Sequence, residues 1–279
     1  MKKTAKKIVD FKKQGKKITA LTAYDYSTAK CFDRAGVDVI LVGDSLAQVA
    51  LGYNSTCEVS LDEMKIFVGA VARGAKEALI VADMPFLTCQ TGIFEAIKNA
   101  GEMIKCGAQA VKIEGANDYI LDVIKHLTQN GIPVMGHLGF TPQYINSIGG
   151  HFISAKSADL TIEVLKQAKK LQTAGAFSVV LEMVPAQSAK YITQNLEIPT
   201  IGIGGGVDCD GQILVSDDAL GKYGDFCPKF AKKYANLNEI MFEVAKKYCD
   251  EVEKEIFPSK EHSFLLSDDE VTKLENYTH

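Results

Sequence analysis

The sequence alternates between short, almost uninterrupted apolar segments and longer segments of helical periodicity, and this alternation limits the possible folds more than any other feature. The apolar segments are rich in Val, Ile and Leu, as expected for parallel strands buried on both faces. A strand followed by a helix, repeated along the chain, indicates parallel β-α units. An eighth, weaker strand is assigned to Gln212–Val215. The seven clear strands are predicted at Lys17–Asp25, Val37–Ser45, Ala78–Pro85, Gln109–Gly115, Pro133–Gly139, Phe177–Val184 and Pro199–Gly206.

The predicted fold class is α/β, with a closed (β/α)₈ TIM barrel; an open doubly wound sheet is the alternative. Helical segments such as Thr91–Cys106 and Ser157–Ala174 connect the strands. The 279 residues suit one large domain. We expect residues 1–264 to form this domain, with an N-terminal leading helix and C-terminal helices, and residues 265–279 to form a polar tail. Several helical segments end in a glycine, which readily adopts the left-handed conformation of a helix stop: Gly36, Gly107, Gly131 and Gly175.

Charge and composition exclude several classes of protein. The net charge of −4 argues against a general nucleic-acid binder. No segment approaches about 18 consecutive apolar residues, so no membrane span is expected. The seven cysteines form no C-x-x-C pair, which indicates reduced thiols and a cytoplasmic protein. The lysines near the N-terminus are interpreted as the solvated face of the leading helix. The segment Pro228–Phe257 is predicted to be helical and to pack outside the barrel or between subunits.

Polar side chains end several of the apolar strands. Asp44 and Ser45 follow the second strand, and Asp83 ends the third. Lys112 and Glu114 share one face of the fourth. Catalytic groups of a (β/α)₈ barrel come from these carboxyl ends of the strands. A single acidic residue at such a position is often only a helix N-cap. The prediction of an active site therefore depends on the presence of charged residues at the ends of several strands together.

Carboxylates that converge in one site require a cation, a shared proton or a lysine to offset their charge. Asp44, Asp83 and Glu114 lie on three adjacent strands and offer hard oxygen ligands. This set favours magnesium over zinc, which prefers more His or Cys. Lys112 is interpreted as a contact to a substrate carboxylate or oxygen, and a Schiff-base lysine is the alternative.

Two further strands end in residues with acid–base capacity. Glu182, after the sixth strand, is the candidate general base. His137, after the fifth, orients Glu182, contacts the substrate or has a structural role. The run Ile201–Gly206 does not fit a dinucleotide fingerprint, and is interpreted as a close-approach turn with backbone amides open to an anion. Long loops at residues 46–59 and 141–156 are expected to carry or cover the site.

A set of motifs, in this order along the chain, resembles the ketopantoate hydroxymethyltransferase family. The match runs from about residue 4 to residue 264. The motifs are LTAYDYSTAK (21–30), VILVGDSLAQVALGY (39–53), VADMPF (81–86), VKIEG (111–115), GHLGFTPQ (136–143), VLEMVPA (180–186), IPTIGIGGGVDCDGQILVSDDALG (198–221), PKFAKKY (228–234) and FPSKEHSF (257–264).

The resemblance implies a barrel of the phosphoenolpyruvate/pyruvate type, assembled as a homo-oligomer, often a decamer. It implies transfer of a hydroxymethyl group from 5,10-methylenetetrahydrofolate to 3-methyl-2-oxobutanoate, which gives 2-dehydropantoate in pantothenate biosynthesis. By the matching motifs, Asp44 and Asp83 hold Mg²⁺, and Glu114 ligates it directly or through water. The same resemblance places Asp44, Ser45, Asp83 and Lys112 around the oxo acid and makes Glu182 the proton acceptor.

One segment departs from the family pattern. After the two glycines at 149 and 150, residues 151–156 read HFISAK, where the family carries an aromatic residue, a basic residue and V-Q-G. This segment is the expected lid or folate-side loop, so the folate contacts stay open. The extension after Phe264 also lies outside the pattern. Two other functions are weighed: a metal-dependent lyase or mutase of a related 2-oxo acid, and a non-catalytic barrel that binds a small molecule.

Overall fold

The structure is a computed structural model that describes residues 2–150, 152–223 and 228–277. Eight parallel strands close into a barrel in which each strand pairs with the next and the last pairs with the first. The closed barrel is therefore confirmed, and the open sheet is excluded. All eight predicted strands are present, each within a few residues of its expected bounds. They are β1 Ile18–Thr22, β2 Val39–Val42, β3 Leu79–Asp83, β4 Ala110–Glu114, β5 Val134–Gly139, β6 Ser178–Glu182, β7 Thr200–Ile203 and β8 Gly211–Leu214.

The helices of the described residues are as follows: α1 Ala5–Lys13, α2 Tyr26–Arg34, α3 Leu46–Val49, α4 Leu61–Gly74, α5 Ile93–Lys105, α6 Asp118–Gln129, α7 Ile145–Ile148, α8 Ala158–Thr173, α9 Ala186–Gln194, α10 Ser216–Leu220, α11 Leu237–Glu253 and α12 Asp268–Glu275. The predicted segments at Thr91–Cys106 and Ser157–Ala174 correspond to α5 and α8. The four glycines expected to end helices all have positive φ, between 81° and 113°, so the helix-stop interpretation is confirmed.

The strands are apolar on both faces because they separate two cores. Val39 and Leu41 of β2 point into the barrel interior, whereas Ile40 and Val42 of the same strand face the surrounding helices. Each fully buried Val, Leu or Ile contributes about 1.5–3 kcal/mol relative to an exposed one. A one-residue shift of register would exchange the two sets of side chains. The continuous apolar segments in the sequence thus follow from burial on both sides.

Helix α1 closes the amino-terminal end of the barrel. Its Phe11, together with a neighbouring isoleucine, joins the interior core. The lysines of this region were expected to be solvated, and that interpretation is wrong in part. Lys12 Nζ lies 2.8 Å from Asp210 Oδ2, and Lys16 Nζ lies 3.1 Å from Asp38 Oδ1. These ion pairs hold the leading helix against the strand starts, away from the end that carries the predicted site.

The ring of outer helices is incomplete beside β8. Within the described residues, no helix connects β7 to β8, and α10 has only 5 residues. Helix α11 has 17 residues and buries none of them. Gln212 of β8 and Thr19 of β1 are exposed on the outer face. This side of the barrel therefore lacks the cover that helices give to β2 through β5.

The predicted helix at Pro228–Phe257 begins later than expected, at the start of α11. Backbone N–H groups around the start of α11 donate hydrogen bonds to the segment near α10 instead of to carbonyls of their own segment. Tyr234 N–H donates to Ala219 O over 2.7 Å, and Asn238 N–H donates to Gly221 O over 3.0 Å. A continuous helix from Pro228 would need these donors internally, so α11 begins only at Leu237.

The described residues contain neither a disulfide bond nor a helix that could span a membrane. The six cysteines that lie in the described ranges are all free; Cys227 lies outside them. Across the same ranges, no helix has both the length and the apolar character needed to cross a membrane.

Candidate active site

Strands β3 to β6 bring five of the predicted residues to the carboxyl end of the barrel. The strand register pairs Asp83 with Lys112 and Glu114 with His137, and Glu182 is the last residue of β6. Since neighbouring parallel strands lie about 4.8 Å apart, paired residues on one face are held within contact distance. The barrel itself thus assembles the group that the sequence predicts.

Lys112 lies among the carboxylates. Its Nζ is 2.8 Å from Asp83 Oδ1 and 3.9 Å from Glu114 Oε1. Burial alone would lower the pKa of Lys112, but the neighbouring carboxylates, Asp83 first, raise it above its ordinary value. The ammonium group is therefore held charged. This favours electrostatic binding of an anion over a Schiff base, which needs a neutral amine.

Asp44 joins this cluster from the loop after β2. Its backbone N–H donates to Asp83 Oδ2 over 2.9 Å, and its own Oδ2 accepts a hydrogen bond of 2.9 Å from Gln143 Nε2. Burial, and then the charges of Asp83 and Glu114, raise the pKa of Asp44 well above its ordinary value. The site therefore holds more negative charge than Lys112 alone offsets.

The simpler interpretation of the two aspartates as helix caps does not hold. Ser45, not Asp44, directly precedes α3, and it forms no side-chain cap bond. Helix α5 begins after Gly92, nine residues beyond Asp83. Both aspartates are buried, so their side chains are directed to the barrel end by the strands and not by helix capping.

His137 connects the two ends of the site. Its Nδ1 lies 3.3 Å from Glu114 Oε1, and its Nε2 lies 3.2 Å from Glu182 Oε2. Burial and the charge of Lys112 would lower the pKa of His137, but the two glutamates raise it to about 9. The Glu182 side chain is 17% exposed, against 3% for His137. Glu182 thus faces the open mouth while the His137 ring lies behind its carboxylate at ion-pair distance.

Ser45 is half-buried at the rim of the cluster. Its Oγ lies 2.9 Å from the hydroxyl of Tyr24, a side chain at the end of β1 that is only 6% exposed. Burial raises the pKa of Tyr24 above its ordinary value, so the phenol stays protonated and can donate to Ser45. This contact fixes the orientation of the serine hydroxyl.

The oxygen atoms of this cluster fit a magnesium ion. The buried atoms Asp83 Oδ1 and Glu114 Oε1 each lie near a cationic side chain but accept no hydrogen bond of good geometry, so both keep capacity for a further ligand. Among the described residues, no three His, Cys, Asp or Glu side chains form a ready-made metal cage. Magnesium needs no such cage, because it commonly takes one or two carboxylates and completes its octahedron with water and substrate oxygens.

The loop at residues 141–156 contains a turn of 3₁₀ helix and the short helix α7. Its first turn reaches the carboxylate cluster through Gln143, and near its other end Ser154 N–H donates to Met183 O over 3.0 Å. A cavity of about 400 Å³ lies beneath it, lined in part by Tyr144 and Phe152. The atypical residue His151 lies outside the described residues. The loop therefore borders the site at the side of Glu182.

Two contributors were not predicted from the sequence as site residues. Tyr24 and Gln143 both stand inside motifs used for the family resemblance, yet neither ends a strand with a charged group. Their hydrogen bonds to Ser45 and Asp44 arise only when separate strands meet. Tyr24 stands one residue before the predicted strand end at Asp25, and a polar aromatic residue at that position is the kind of signal that could have indicated the first.

The glycine-rich run at Ile201–Gly206 ends β7 and turns towards β8. Gly204 and Gly206 have φ of 76° and 77°, values that residues with a side chain rarely adopt. Because β8 follows directly and no helix begins here, the run lacks the helix that a dinucleotide fingerprint requires. The close-approach turn is confirmed, and anion binding by its amides stays a prediction.

The sequence that forms this site and fold matches a known protein family. The sequence model of the family "Ketopantoate hydroxymethyltransferase" matches residues 2–260. The 3-methyl-2-oxobutanoate hydroxymethyltransferase of Enterococcus faecalis is 50% identical over 275 residues, which cover 98% of this chain and 100% of the relative. The enzyme of the same name from Clostridium botulinum is also 50% identical over 275 residues, with 98% and 100% coverage.

Solved structures with the same fold are more distant in sequence. Phosphoenolpyruvate phosphomutase from Streptomyces platensis subsp. rosaceus superposes with a TM-score of 0.61 at 14% identity and covers 98% of both chains. A 2,3-dimethylmalate lyase of the PEP mutase/isocitrate lyase superfamily gives 0.60 at 15% identity, covering 99% of this chain and 98% of its own. These neighbours share the TIM-barrel fold of this chain.

Proposed function

Because this chain belongs to the ketopantoate hydroxymethyltransferase family, we propose that it transfers a hydroxymethyl group from 5,10-methylenetetrahydrofolate to 3-methyl-2-oxobutanoate. The products are 2-dehydropantoate and tetrahydrofolate, and the reaction is the first step of pantothenate biosynthesis. The observation that carries this proposal is the buried cluster of Asp44, Asp83, Glu114 and Lys112 beside the His137–Glu182 pair. One part of this group can bind an anionic oxo acid, and the other can accept a proton from it.

The oxo acid binds over Lys112. Its carboxylate is attracted to the Nζ, which is held charged by Asp83 and lies in a buried environment where electrostatic interactions are strong. Ser45, oriented by Tyr24, donates a further hydrogen bond to a substrate oxygen. His137 completes the wall of the pocket. The positive charge of Lys112 selects an anion, and the buried surroundings select a small one.

Asp44 and Asp83 would hold Mg²⁺, with Glu114 as a third ligand directly or through water. When bound, the ion would polarise the keto group of the oxo acid and stabilise the charge of the enolate. The closeness of Asp44, Asp83 and Glu114, which raises the pKa of Asp44, supports this assignment, since a cation would offset their negative charge.

Glu182 removes the proton from C3 of the oxo acid. It is the only one of the site carboxylates, among the described residues, with a partly exposed side chain, so it can reach a substrate that enters from the mouth. His137 Nε2 lies 3.2 Å from one oxygen of this carboxylate, close enough to restrict its position. A general base of this kind contributes about 10²–10⁴-fold to the rate. The resulting carbanion at C3 then bonds to the one-carbon unit of the folate. Over the whole reaction the two C–N bonds of that carbon break, one water molecule supplies the hydroxyl oxygen, and the folate nitrogens take up the protons to give tetrahydrofolate.

The folate enters beside the loop at residues 141–156. The cavity of about 400 Å³ bounded by this loop supports the assignment, as do its aromatic walls, which suit a planar heterocycle. Closure of the loop over the mouth would exclude water from the enolate.

The active protein is a homo-oligomer, a decamer by family resemblance. Support comes from α11, whose large apolar side chains are exposed, with Phe242 59% and Val244 63% accessible. An exposed apolar face of this kind commonly marks a protein–protein interface. The free cysteines support a cytoplasmic location.

Exchange of the C3 hydrogen tests the proposal. With Mg²⁺ but without folate, the protein is expected to exchange the C3 proton of 3-methyl-2-oxobutanoate for deuterium, measured by NMR. Glu182→Gln serves as the control that should abolish the exchange. If the wild-type protein neither exchanges this proton nor forms product with folate, the proposal is wrong.

A further inference from the structure

Gln143 is a buried polar residue at the centre of the site, and the proposed reaction gives it no role. It lies in the first turn after β5 and is 5% exposed. Its side-chain amide donates two hydrogen bonds, one to Asp44 Oδ2 and one to Met84 O, both of 2.9 Å. Its backbone N–H donates to Glu114 Oε2 over 3.0 Å. One residue of the β5 loop therefore contacts the ends of β2, β3 and β4.

The hydrogen bond from Gln143 to Asp44 partly offsets the repulsion between Asp44 and the neighbouring carboxylates. Asp44 is 5% exposed and lies beside Asp83 and Glu114, so the orientation of its carboxylate among these like charges needs stabilisation. A neutral amide has two N–H donors in a fixed plane. With one hydrogen held by Met84 O, the other points at Asp44 Oδ2 and leaves the remaining oxygen, Oδ1, free of this contact.

The backbone contact extends the same arrangement to a second carboxylate. Glu114 Oε2 accepts from the Gln143 N–H, while Glu114 Oε1 has no hydrogen bond of good geometry. In both carboxylates, then, Gln143 takes one oxygen. The other oxygen of each carboxylate, Asp44 Oδ1 and Glu114 Oε1, is left without a contact to Gln143.

We infer that Gln143 is a positioning residue that orients Asp44 and Glu114 for divalent-cation binding and, through the same contacts, seats the loop at residues 141–156. This inference rests on the proposed function. Hydrogen bonds to ligating carboxylates commonly matter about 10–100-fold for metal affinity or activity. The same three bonds fix the start of the loop, and Cys57 Sγ adds a contact of 3.6 Å to the Gln143 carbonyl.

The test compares Mg²⁺ binding by the wild-type protein and by Gln143→Met, measured by isothermal titration calorimetry without either substrate. Methionine has a similar length but no donor, so Asp44 Oδ2 and Met84 O lose their partner. We expect Mg²⁺ to bind about 10–100-fold more weakly. In the assay, the Mg²⁺ concentration for half-maximal rate should rise by a similar factor, while kcat at saturating Mg²⁺ falls less.

Gln48→Met is the matched control. Gln48 lies on the short helix α3 and is exposed, and its amide bonds only to the Asn54 carbonyl at 3.1 Å among the contacts described. Its Mg²⁺ affinity should equal that of the wild type. Equal affinity of Gln143→Met and wild type would overturn the inference, as would a loss of affinity that Gln48→Met shares.

A second variant decides the matter if Gln143→Met does not fold, as judged by circular dichroism and thermal unfolding. Gln143→Asn keeps an amide but is one methylene shorter, so it cannot span both acceptors. Several-fold weaker Mg²⁺ binding by a folded Gln143→Asn supports the inference, and unchanged binding overturns it. Failure of the proposed function is recognised separately, because the wild-type protein itself would then show neither Mg²⁺ binding nor product.

Discussion

The imidazole of His137 lies 3.2 Å from the carboxylate of Glu182, through Nε2 and Oε2. The other ring nitrogen contacts Glu114, so the histidine stands between the candidate base and the candidate metal site. With its pKa raised to about 9, the ring is protonated at neutral pH and carries a positive charge between two carboxylates. The charge of His137 thus partly offsets the negative charges of Glu114 and Glu182.

Removing the base should separate binding from chemistry. In Glu182→Gln, the shape of the side chain and its contact to His137 can persist, while the proton acceptor is lost. We expect kcat to fall by about 10²–10⁴-fold, with the dissociation constant of the oxo acid changed only a few-fold. Steady-state kinetics and calorimetric titration measure the two quantities. Parallel losses in binding and turnover would show that Glu182 acts mainly in binding.

Removing the histidine should affect kcat more than KM. His137→Ala frees the Glu182 carboxylate to rotate, and a misplacement of about 1 Å can cost up to about 100-fold in rate. We expect His137→Gln, which restores a donor near Nε2, to recover part of kcat. His126→Gln, a change on the exposed face of α6, is the control. An increase in KM for the oxo acid with unchanged kcat would instead assign His137 to substrate binding.

The barrel and its charged residues were predictable because they depend on local sequence. A parallel strand buried on both faces gives a continuous apolar segment, and the carboxyl ends of such strands must meet. Asp83, Lys112 and Glu114 therefore converge whatever the loops do. The contacts of Gln143 were not predictable, because a glutamine after a proline in a long loop carries no periodic signal and its partners lie on three other strands.

For the C-terminal segment, the sequence predicted a helix but neither its first residue nor its packing partner. Its helical periodicity is real, and α11 does form, but periodicity does not reveal what a helix packs against. The bonds from Tyr234 and Asn238 to the chain around α10 delay its start, and these are tertiary contacts. The sequence of α11 has the pattern of an ordinary amphipathic helix, and this pattern does not show that the apolar face is left exposed on the single chain.

A charge placed on α11 should weaken self-association. In Phe242→Asp, a carboxylate replaces an apolar ring that is 59% exposed in the single chain. If α11 packs against another copy, burying this charge is costly, and the oligomer should dissociate to smaller species in sedimentation velocity experiments. Lys246→Asp, on the same helix, is the control for the added charge. A wild-type protein that sediments as a monomer would contradict the homo-oligomer.

Acid stability should depend on Asp38, at the opposite end of the barrel from the site. Burial alone would raise the pKa of Asp38, but hydrogen bonds from Thr19 and Lys16 hold it below its ordinary value. A carboxylate with a lowered folded-state pKa stabilises the protein above its ordinary pKa of about 4, and this contribution is lost as the pH falls through the folded-state value.

Asp38→Asn should therefore lower the free energy of unfolding at pH 7 by about 1–3 kcal/mol. At pH 3, its difference from the wild type should be smaller. Urea unfolding at both pH values measures this. Asp62→Asn, whose side chain is 89% exposed, is the control and should change little. A difference that stays constant between the two pH values would mean that Asp38 acts by packing and not by charge.

The central claim is that the acidic cluster around Lys112 serves a cation-dependent transfer of a one-carbon unit to an oxo acid. The most direct measurement is the formation of 2-dehydropantoate from 3-methyl-2-oxobutanoate and 5,10-methylenetetrahydrofolate, with and without a chelator. We predict product formation that requires both substrates, stops with the chelator and returns with excess Mg²⁺, with Asp83→Asn needing far more Mg²⁺ than the wild type. No product, or product formation that the chelator leaves unchanged, would contradict the account.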